Sequence, residues 1–306
     1  MNETINSILE EIHQEVLPFL GTGKVVDYIP ILNEADPNKF GMTLISNDRR
    51  IYSVGNAQEL FSIQSVSKVL TLTLAMQLGE EKLWKRVGRE PSGNRFNSLV
   101  QLEHENGKPR NPFINAGALV VTDMLISALD DPKAEILDFV RKVSCNSTLE
   151  YNFEIAQAEK EMGFTNAALV NFMKSFKNIE NDVEEVLDTY FHHCSIMLNT
   201  EDLARSFMML SNQGNMNFCN EQIISKRQSK RINSIMATSG FYDQAGEFAY
   251  RVGLPGKSGV SGAIAAVYPG DFSVAVWSPE LNSNGNSVLG IEALDRLTTK
   301  LELSIY

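Results

Sequence analysis

From about Ser62 to Gly79 the chain is apolar on nearly every side of a helical wheel, with Ile63, Val66, Val69, Leu70, Leu72, Leu74, Ala75 and Leu78. A helix with no polar face has nothing to present to water and belongs in the middle of a domain. Whatever else this chain forms must wrap around that segment. With 306 residues, 43% of them hydrophobic, it is long enough to do so without disulfides or metals.

The flanking sequence predicts the wrapping. Ile5, Ile8, Ile12 and Val16 recur at helical spacing, so the chain opens with an amphipathic helix that Gly21 and Gly23 interrupt. Residues 40–45 and 51–54 read as strands joined by the turn Ser46-Asn47-Asp48-Arg49. Helical patterns dominate from 116 to about 235, at 123–128, 135–143, 182–189 and 202–210. Beyond 247 come three short runs bounded by Gly, Pro and Asp: 248–252, 263–268 and 272–277. They predict a meander of three antiparallel strands, with Pro269-Gly270-Asp271 as one of its turns. Residues 288–301 are again helical in pattern. Two early and three late strands complete one antiparallel sheet of about five strands, flanked by helices. The expected class is α/β of the α+β type. It is one discontinuous domain: a sheet part from about 1–61 plus 240–306, and a large helical part at about 62–239.

Charge narrows the function. Lys plus Arg is 27 and Asp plus Glu is 38, so the net charge is 27 − 38 = −11. Such a surface repels phosphate backbones and anionic lipid heads, so neither nucleic acid nor membrane is an expected partner. Cys145, Cys194 and Cys219 have no metal-ligand spacing and, being odd in number, are expected to be reduced. His192 and His193 are adjacent, so their rings point to different sides of a helix and do not share a metal easily. No metal or cofactor is expected. The first residues lack a basic and then apolar signal pattern, and no apolar run reaches 18 residues, so a cytoplasmic location is expected.

The chemistry lies in Phe61-Ser62-Ile63-Gln64-Ser65-Val66-Ser67-Lys68, which contains Ser-x-x-Lys. Positions i and i+3 of a helix share a face, so the Lys68 amine lies near the Ser65 hydroxyl. A serine needs an adjacent base to act as a nucleophile. A lysine deprived of water loses part of its preference for the charged form and can serve as that base. Ser-x-x-K alone arises by chance about once in a chain of ordinary composition, and it also suits a helix-start serine with a snorkelling lysine. A second element is Lys257-Ser258-Gly259-Val260, ahead of the expected strand at 263–268. It is close to the Lys-Thr-Gly that accompanies Ser-x-x-Lys in penicillin-binding enzymes and class A β-lactamases. Their central Ser-Asp-Asn has no clear match here.

Longer segments carry a more specific likeness. Glu90-Pro91-Ser92-Gly93-Asn94-Arg95-Phe96-Asn97-Ser98-Leu99, Lys108-Pro109-Arg110-Asn111-Pro112-Phe113-Ile114-Asn115-Ala116-Gly117-Ala118, Gln64-Ser65-x-x-Lys68, Tyr190-Phe191 before Cys194-Ser195-Ile196, and Gly253-Leu254-Pro255-x-Lys257-Ser258-Gly259-Val260 stand in order. From about Gly23 to Ser278 the chain resembles the serine-dependent glutaminases. The resemblance implies a β-lactamase/DD-peptidase-like fold and hydrolysis of the side-chain amide of L-glutamine through a Ser65 acyl-enzyme. It also implies a homodimer or homotetramer.

The same resemblance implies roles residue by residue. Ser65 is the nucleophile and Lys68 its base. Tyr242 relays protons to the leaving nitrogen. Tyr28 lines the pocket, Asn115, Asn166 and Tyr190 contact the substrate, and Glu159 pairs with its α-ammonium. The N–H groups of Ser65 and Val260 form the oxyanion hole. Each residue type also has a plain structural use: Tyr28 and Tyr190 as half-buried core tyrosines, Glu159 as a helix-surface carboxylate, Asn115 as a cap near Ala116, Asn166 in a turn. Two rival readings share the motif: another Ser-x-x-Lys acyl enzyme acting on β-lactams, esters or cell-wall peptides, and a ligand-binding module without turnover.

Overall fold

Strands that are apolar on both faces need cover on both sides, and that requirement organises the molecule. The structure, a computed structural model, describes residues 2–29, 31–93 and 97–306. Its main sheet comprises β1 (Gly41–Ser46), β2 (Ile51–Gly55), β3 (Gly256–Ser258), β4 (Ala263–Tyr268) and β5 (Phe272–Trp277). The spatial order is β2-β1-β5-β4-β3, antiparallel throughout. The early hairpin joins the late meander through β1 and β5, with Gly41 opposite Trp277 and Ser46 opposite Phe272. The helices that matter below are α1 (Asn2–Val16), α2 (Ser67–Arg86), α3 (Asn115–Ala128), α4 (Phe153–Met162), α5 (Val183–Cys194), α6 (Thr200–Ser211), α7 (Ala245–Arg251) and α8 (Val288–Leu301).

Period-two alternation sorts the side chains. Met42, Leu44, Ile264, Ala266, Val274 and Val276 face one way, against Leu9, Ile12 and Val16 of α1 and Leu289, Leu294 and Leu297 of α8. Ile45, Ala263, Ala265, Val267 and Ala275 face the other way, into a larger cluster with Leu203, Ala204 and Phe207 of α6 and the buried flank of α2. Thr43 points the same way, and its hydroxyl is satisfied by Thr200 Oγ1 at 2.7 Å. No described helix is long and apolar enough to cross a membrane.

The all-apolar segment is the expected central helix, but it begins later than its pattern suggests. Phe61–Ser62 pairs with Met197–Leu198 as a short ribbon, Gln64–Val66 forms a 3₁₀ turn, and α2 starts at Ser67. Every residue from Ser67 to Met76 is buried. The hydroxyls of Thr71 and Thr73 bond to carbonyls one turn back, at Ser67 and Val69. Lys68 is therefore the charged group that this stretch has to accommodate.

One expected strand is a helix. Residues 248–252 lie in α7 and its C-cap, and the third strand of the meander is Gly256–Ser258, part of the Lys-Ser-Gly segment. Ala245, Phe248 and Val252 are buried at spacings of three and four, a helical stripe that a five-residue window reads as a strand. Phe248 stacks on Phe241 at 3.6 Å between ring centroids. Arg251 reaches Glu292 and Asp295 of α8, each at 2.7 Å, and so fixes the helix to the outer layer.

The start of α3 is unusually close to its own preceding loop. Asn111 accepts from the N–H groups of Phe113 and Ile114 at 3.0 and 3.1 Å, and a Cβ on Gly117 would stand 1.9 Å from the Asn111 carbonyl oxygen. Gly117→Ala is expected to destabilise the fold by about 2 kcal/mol or more, as overpacking against backbone does. Urea unfolding checks this; an unchanged midpoint would refute the close approach.

Candidate active site

Ser65 sits in the 3₁₀ turn and Lys68 is the second residue of α2, so the turn delivers both to the same end of the buried helix. The Lys68 amine is wholly buried and donates to Phe113 O at 3.3 Å, Asn115 Oδ1 at 2.6 Å and Tyr242 OH at 3.3 Å. Desolvation brings its pKa down from 10.5 to about 8, against smaller opposing effects from Cys194 and Glu159. Relative to water, that shift disfavours the charged form by roughly 3 kcal/mol. Among the described residues no hydrogen bond joins Lys68 Nζ to Ser65 Oγ. The half-buried Ser65 hydroxyl has no partner there.

Tyr242 is the meeting point of two amines. It opens a 3₁₀ turn with φ 55°, a left-handed conformation rare for a bulky residue. Lys257, on strand β3, donates to the same phenolic oxygen at 3.1 Å and to Ser258 O at 2.6 Å. Its ammonium also lies 4.2 Å from the Tyr242 ring centroid. Burial again brings this lysine down to about 8.

The remaining candidates converge from the helical side. Asn115 is the first residue of α3 and does not cap it. Its carbonyl holds Lys68, its amide donates to Asn166 Oδ1 at 2.9 Å, and the Tyr190 hydroxyl approaches Oδ1 at 3.5 Å. Tyr190 is buried on α5 with its ring 5.9 Å from Lys68 Nζ, and burial pushes its phenol well up. Glu159, on α4, accepts from Gln64 Nε2 at 2.8 Å, and desolvation raises its carboxyl to about 7. Its helix neighbours Glu154 and Glu161 are exposed. Tyr28 stands at the rim, 49% exposed, yet burial of its phenol and the Glu159 charge raise its pKa. Pro30 beside it, and Asn94, Arg95 and Phe96 of the 90–99 segment, lie outside the described residues.

Val260 follows the end of β3. A Cβ on the preceding Gly259 would meet Ile63 O at 3.1 Å, Val66 at 3.3 Å and Gln64 at 3.4 Å, so glycine lets this loop lie against the Ser65 turn. Among the described residues neither the Ser65 N–H nor the Val260 N–H has a hydrogen-bond acceptor. All nine residues named from sequence thus belong to or border one cluster. Two residues absent from that set are part of it. Gln64 has φ 49° and bonds to Glu159, and Lys257 bonds to Tyr242. Their signals were their positions, beside Ser65 and inside Lys-Ser-Gly.

An antiparallel sheet backed by terminal helices, with Ser-x-x-Lys on a buried helix facing Lys-Ser-Gly on the edge strand, is the β-lactamase-like fold. The glutaminase family pattern matches residues 23–306. A glutaminase from Marinomonas sp. (strain MWYL1) is 51% identical over 302 residues, covering 99% of this chain and all of that protein. Among solved structures, the probable glutaminase YbaS superimposes with a TM-score of 0.95 at 30% identity, over 100% of this chain and 99% of the other. The glutamate form of Mglu gives a TM-score of 0.92 at 30% identity, over 98% and 69%. The chain belongs to the glutaminase family.

The two buried amines make a prediction independent of turnover. In an NMR titration of ¹³C-labelled lysine side chains, two resonances should titrate near pH 8, and Lys68→Met should remove one. If every lysine titrated near its ordinary value, the Lys68 and Lys257 amines would not be desolvated.

Proposed function

We propose that the chain hydrolyses the side-chain amide of L-glutamine to L-glutamate and ammonia through an ester on Ser65. The observation that carries this reading is the Lys68 amine: buried, with its pKa lowered to about 8 so that the neutral form is accessible, one turn beyond a serine hydroxyl with no hydrogen-bond partner among the described residues, and 3.3 Å from Tyr242 OH. The reading rests further on family membership and on the glutamate form of the structural neighbour.

In this mechanism Ser65 Oγ attacks the amide carbon and its proton passes to Lys68. The missing Ser65–Lys68 hydrogen bond is compatible with that role, because catalytic contacts often tighten only once substrate is bound. The oxygen of the tetrahedral intermediate takes the two unused N–H groups of Ser65 and Val260; one such donor is typically worth about 3 kcal/mol. The intermediate collapses as Tyr242 relays a proton from the lysine side to the amide nitrogen. The C–N bond breaks, ammonia leaves, and the glutamyl group remains on Ser65. Water then adds to the ester, its proton returning by the same route, and L-glutamate departs. Lys257 holds the Tyr242 hydroxyl in line.

Recognition follows from charge. Glu159 is an anion that burial has made costly, so the substrate α-ammonium is a favourable partner for it. The Asn115–Asn166 pair and Tyr190 offer amide N–H and hydroxyl donors to the α-carboxylate, with Tyr28 closing the rim. The sheet part, about 1–61 plus 240–306, would supply Tyr28, Tyr242, Lys257 and Val260. The helical part, 62–239, would supply the rest, and the two would act as one discontinuous catalytic domain.

Ser65→Ala should abolish ammonia release, by about 10³-fold or more, with an unchanged circular dichroism spectrum. Near-wild-type release by that variant would remove Ser65 from the nucleophile role. Activity should climb from pH 6 to pH 9. Lys68 acts as base only when neutral, a fraction that grows as pH passes about 8, and Glu159 loses its charge as pH falls below about 7. A flat profile over that range would exclude the lysine base. A panel of L-glutamine, D-glutamine, L-asparagine, glutathione and a chromogenic β-lactam separates this reading from its rivals, with L-glutamine expected to dominate.

A further inference from the structure

His193 is fully buried on α5, behind the turn that carries Ser65, and the mechanism above does not use it. Its neighbour His192 turns outward, with Nδ1 on the Asp188 carbonyl at 2.7 Å and its ring against Tyr151 and Phe153. The His193 ring points inward. Its Nδ1 lies 2.8 Å from Ser67 Oγ and its Nε2 lies 3.2 Å from Thr122 Oγ1 on α3. The Tyr190 ring meets it edge-on at 5.1 Å. One imidazole therefore ties the start of α2 to α3 and α5.

The protons can be assigned around this contact. Ser67 has one hydroxyl proton, and the Gln64 carbonyl oxygen at 2.7 Å takes it. The Ser67 lone pair then accepts from His193 Nδ1–H, which leaves Nε2 to accept from the Thr122 hydroxyl, whose one proton it shares with the Ala118 carbonyl at 3.0 Å. The ring is neutral, in keeping with a pKa that burial and the nearby Lys68 lower to about 3. The chain of bonds ends on Gln64, whose left-handed backbone immediately precedes Ser65 and whose side chain holds Glu159. Such a conformation persists only where its surroundings over-determine it.

We propose that His193 is a positioning residue for acyl transfer: through Ser67 it pins the Gln64 carbonyl and so fixes the turn that aims the Ser65 hydroxyl. This deepens the acyl-enzyme reading and rests on it. Without the imidazole, Ser67 is free to change rotamer and the strained turn relaxes, displacing Ser65 while the groups proposed for the substrate head remain.

Steady-state kinetics of the full chain test this. His193→Leu should lower kcat at least tenfold with KM within about twofold and the pH profile unmoved. His193→Asn, whose amide can reproduce the Nδ1 donor, should recover most of kcat. Ser67→Ala should reproduce the loss, and the double variant Ser67→Ala/His193→Leu should lose no more than either single one, because both act through one bond. If His193→Leu does not fold, the Ser67→Ala and His193→Asn arms decide alone. A folded His193→Leu or Ser67→Ala with wild-type kcat, whatever its melting temperature, overturns the proposal, as does a folded His193→Asn that has lost kcat. Ser65→Ala runs alongside. If it retained turnover, the acyl-enzyme reading itself would fail. If it is dead while His193→Leu and Ser67→Ala are fully active, only the positioning role fails.

Discussion

An amine without water has to be held by whatever the fold supplies. Lys68 is held by three groups from two distant parts of the chain: the Phe113 carbonyl, the Asn115 amide oxygen and the Tyr242 hydroxyl. Each is needed because an unpaired buried donor is costly. Together they explain why a helix buried along its whole first half can contain a lysine. They also give the lysine its chemistry: enough acceptors to be tolerated, and too little solvent to stay firmly protonated.

Two strained residues flank this amine. Gln64 and Tyr242 both adopt left-handed backbones, at φ 49° and 55°, each at a cost of order 1–3 kcal/mol. Each is restrained by several bonds. Gln64 is held through its carbonyl by Ser67 and through its amide on Glu159. The Tyr242 turn is held through Gln244, whose side-chain oxygen accepts from Asn282 at 3.2 Å and Asn286 at 2.6 Å. The glycines do complementary work. Gly259 lets the loop after the edge strand approach the Ser65 turn, and Gly117 seats α3 on its loop. The site is thus a set of close approaches and unfavourable torsions, kept in place by a core that is apolar on both sides of the sheet.

Much of the scaffold was legible beforehand because it repeats locally. Short runs bounded by turn residues identified β1, β2, β4 and β5, 3.6-residue periodicity identified the terminal helices, and the lack of any polar face identified the buried one. The stretch 248–252 failed because a five-residue window cannot tell a strand from one turn and a half of helix. The start of its helix, at Ala245, lies outside that window. The true edge strand has three residues, two of them Lys257 and Ser258, so it carries no hydrophobic signal. Among the site residues, Ser65 and Lys68 stood out by spacing alone. Glu159, Asn115, Asn166, Tyr190 and Tyr28 were visible only through likeness to a family, since each has a residue type and setting that ordinary surfaces and cores also use. His193 was noticed only as an unsuitable metal ligand.

The amino-acid order by itself determined the buried central helix, the serine one turn before its lysine, and a net charge of −11. These depend on residue type and short-range spacing. Only the tertiary structure decided which groups receive the Lys68 amine, that Lys257 shares Tyr242 with it, and that an inward histidine stands behind the Ser65 turn. Those partners lie 45, 47 and 174 residues away for Lys68, and 126 residues away for the His193–Ser67 pair. No local periodicity links positions so far apart; only the packing of helices against the sheet brings them within bonding distance.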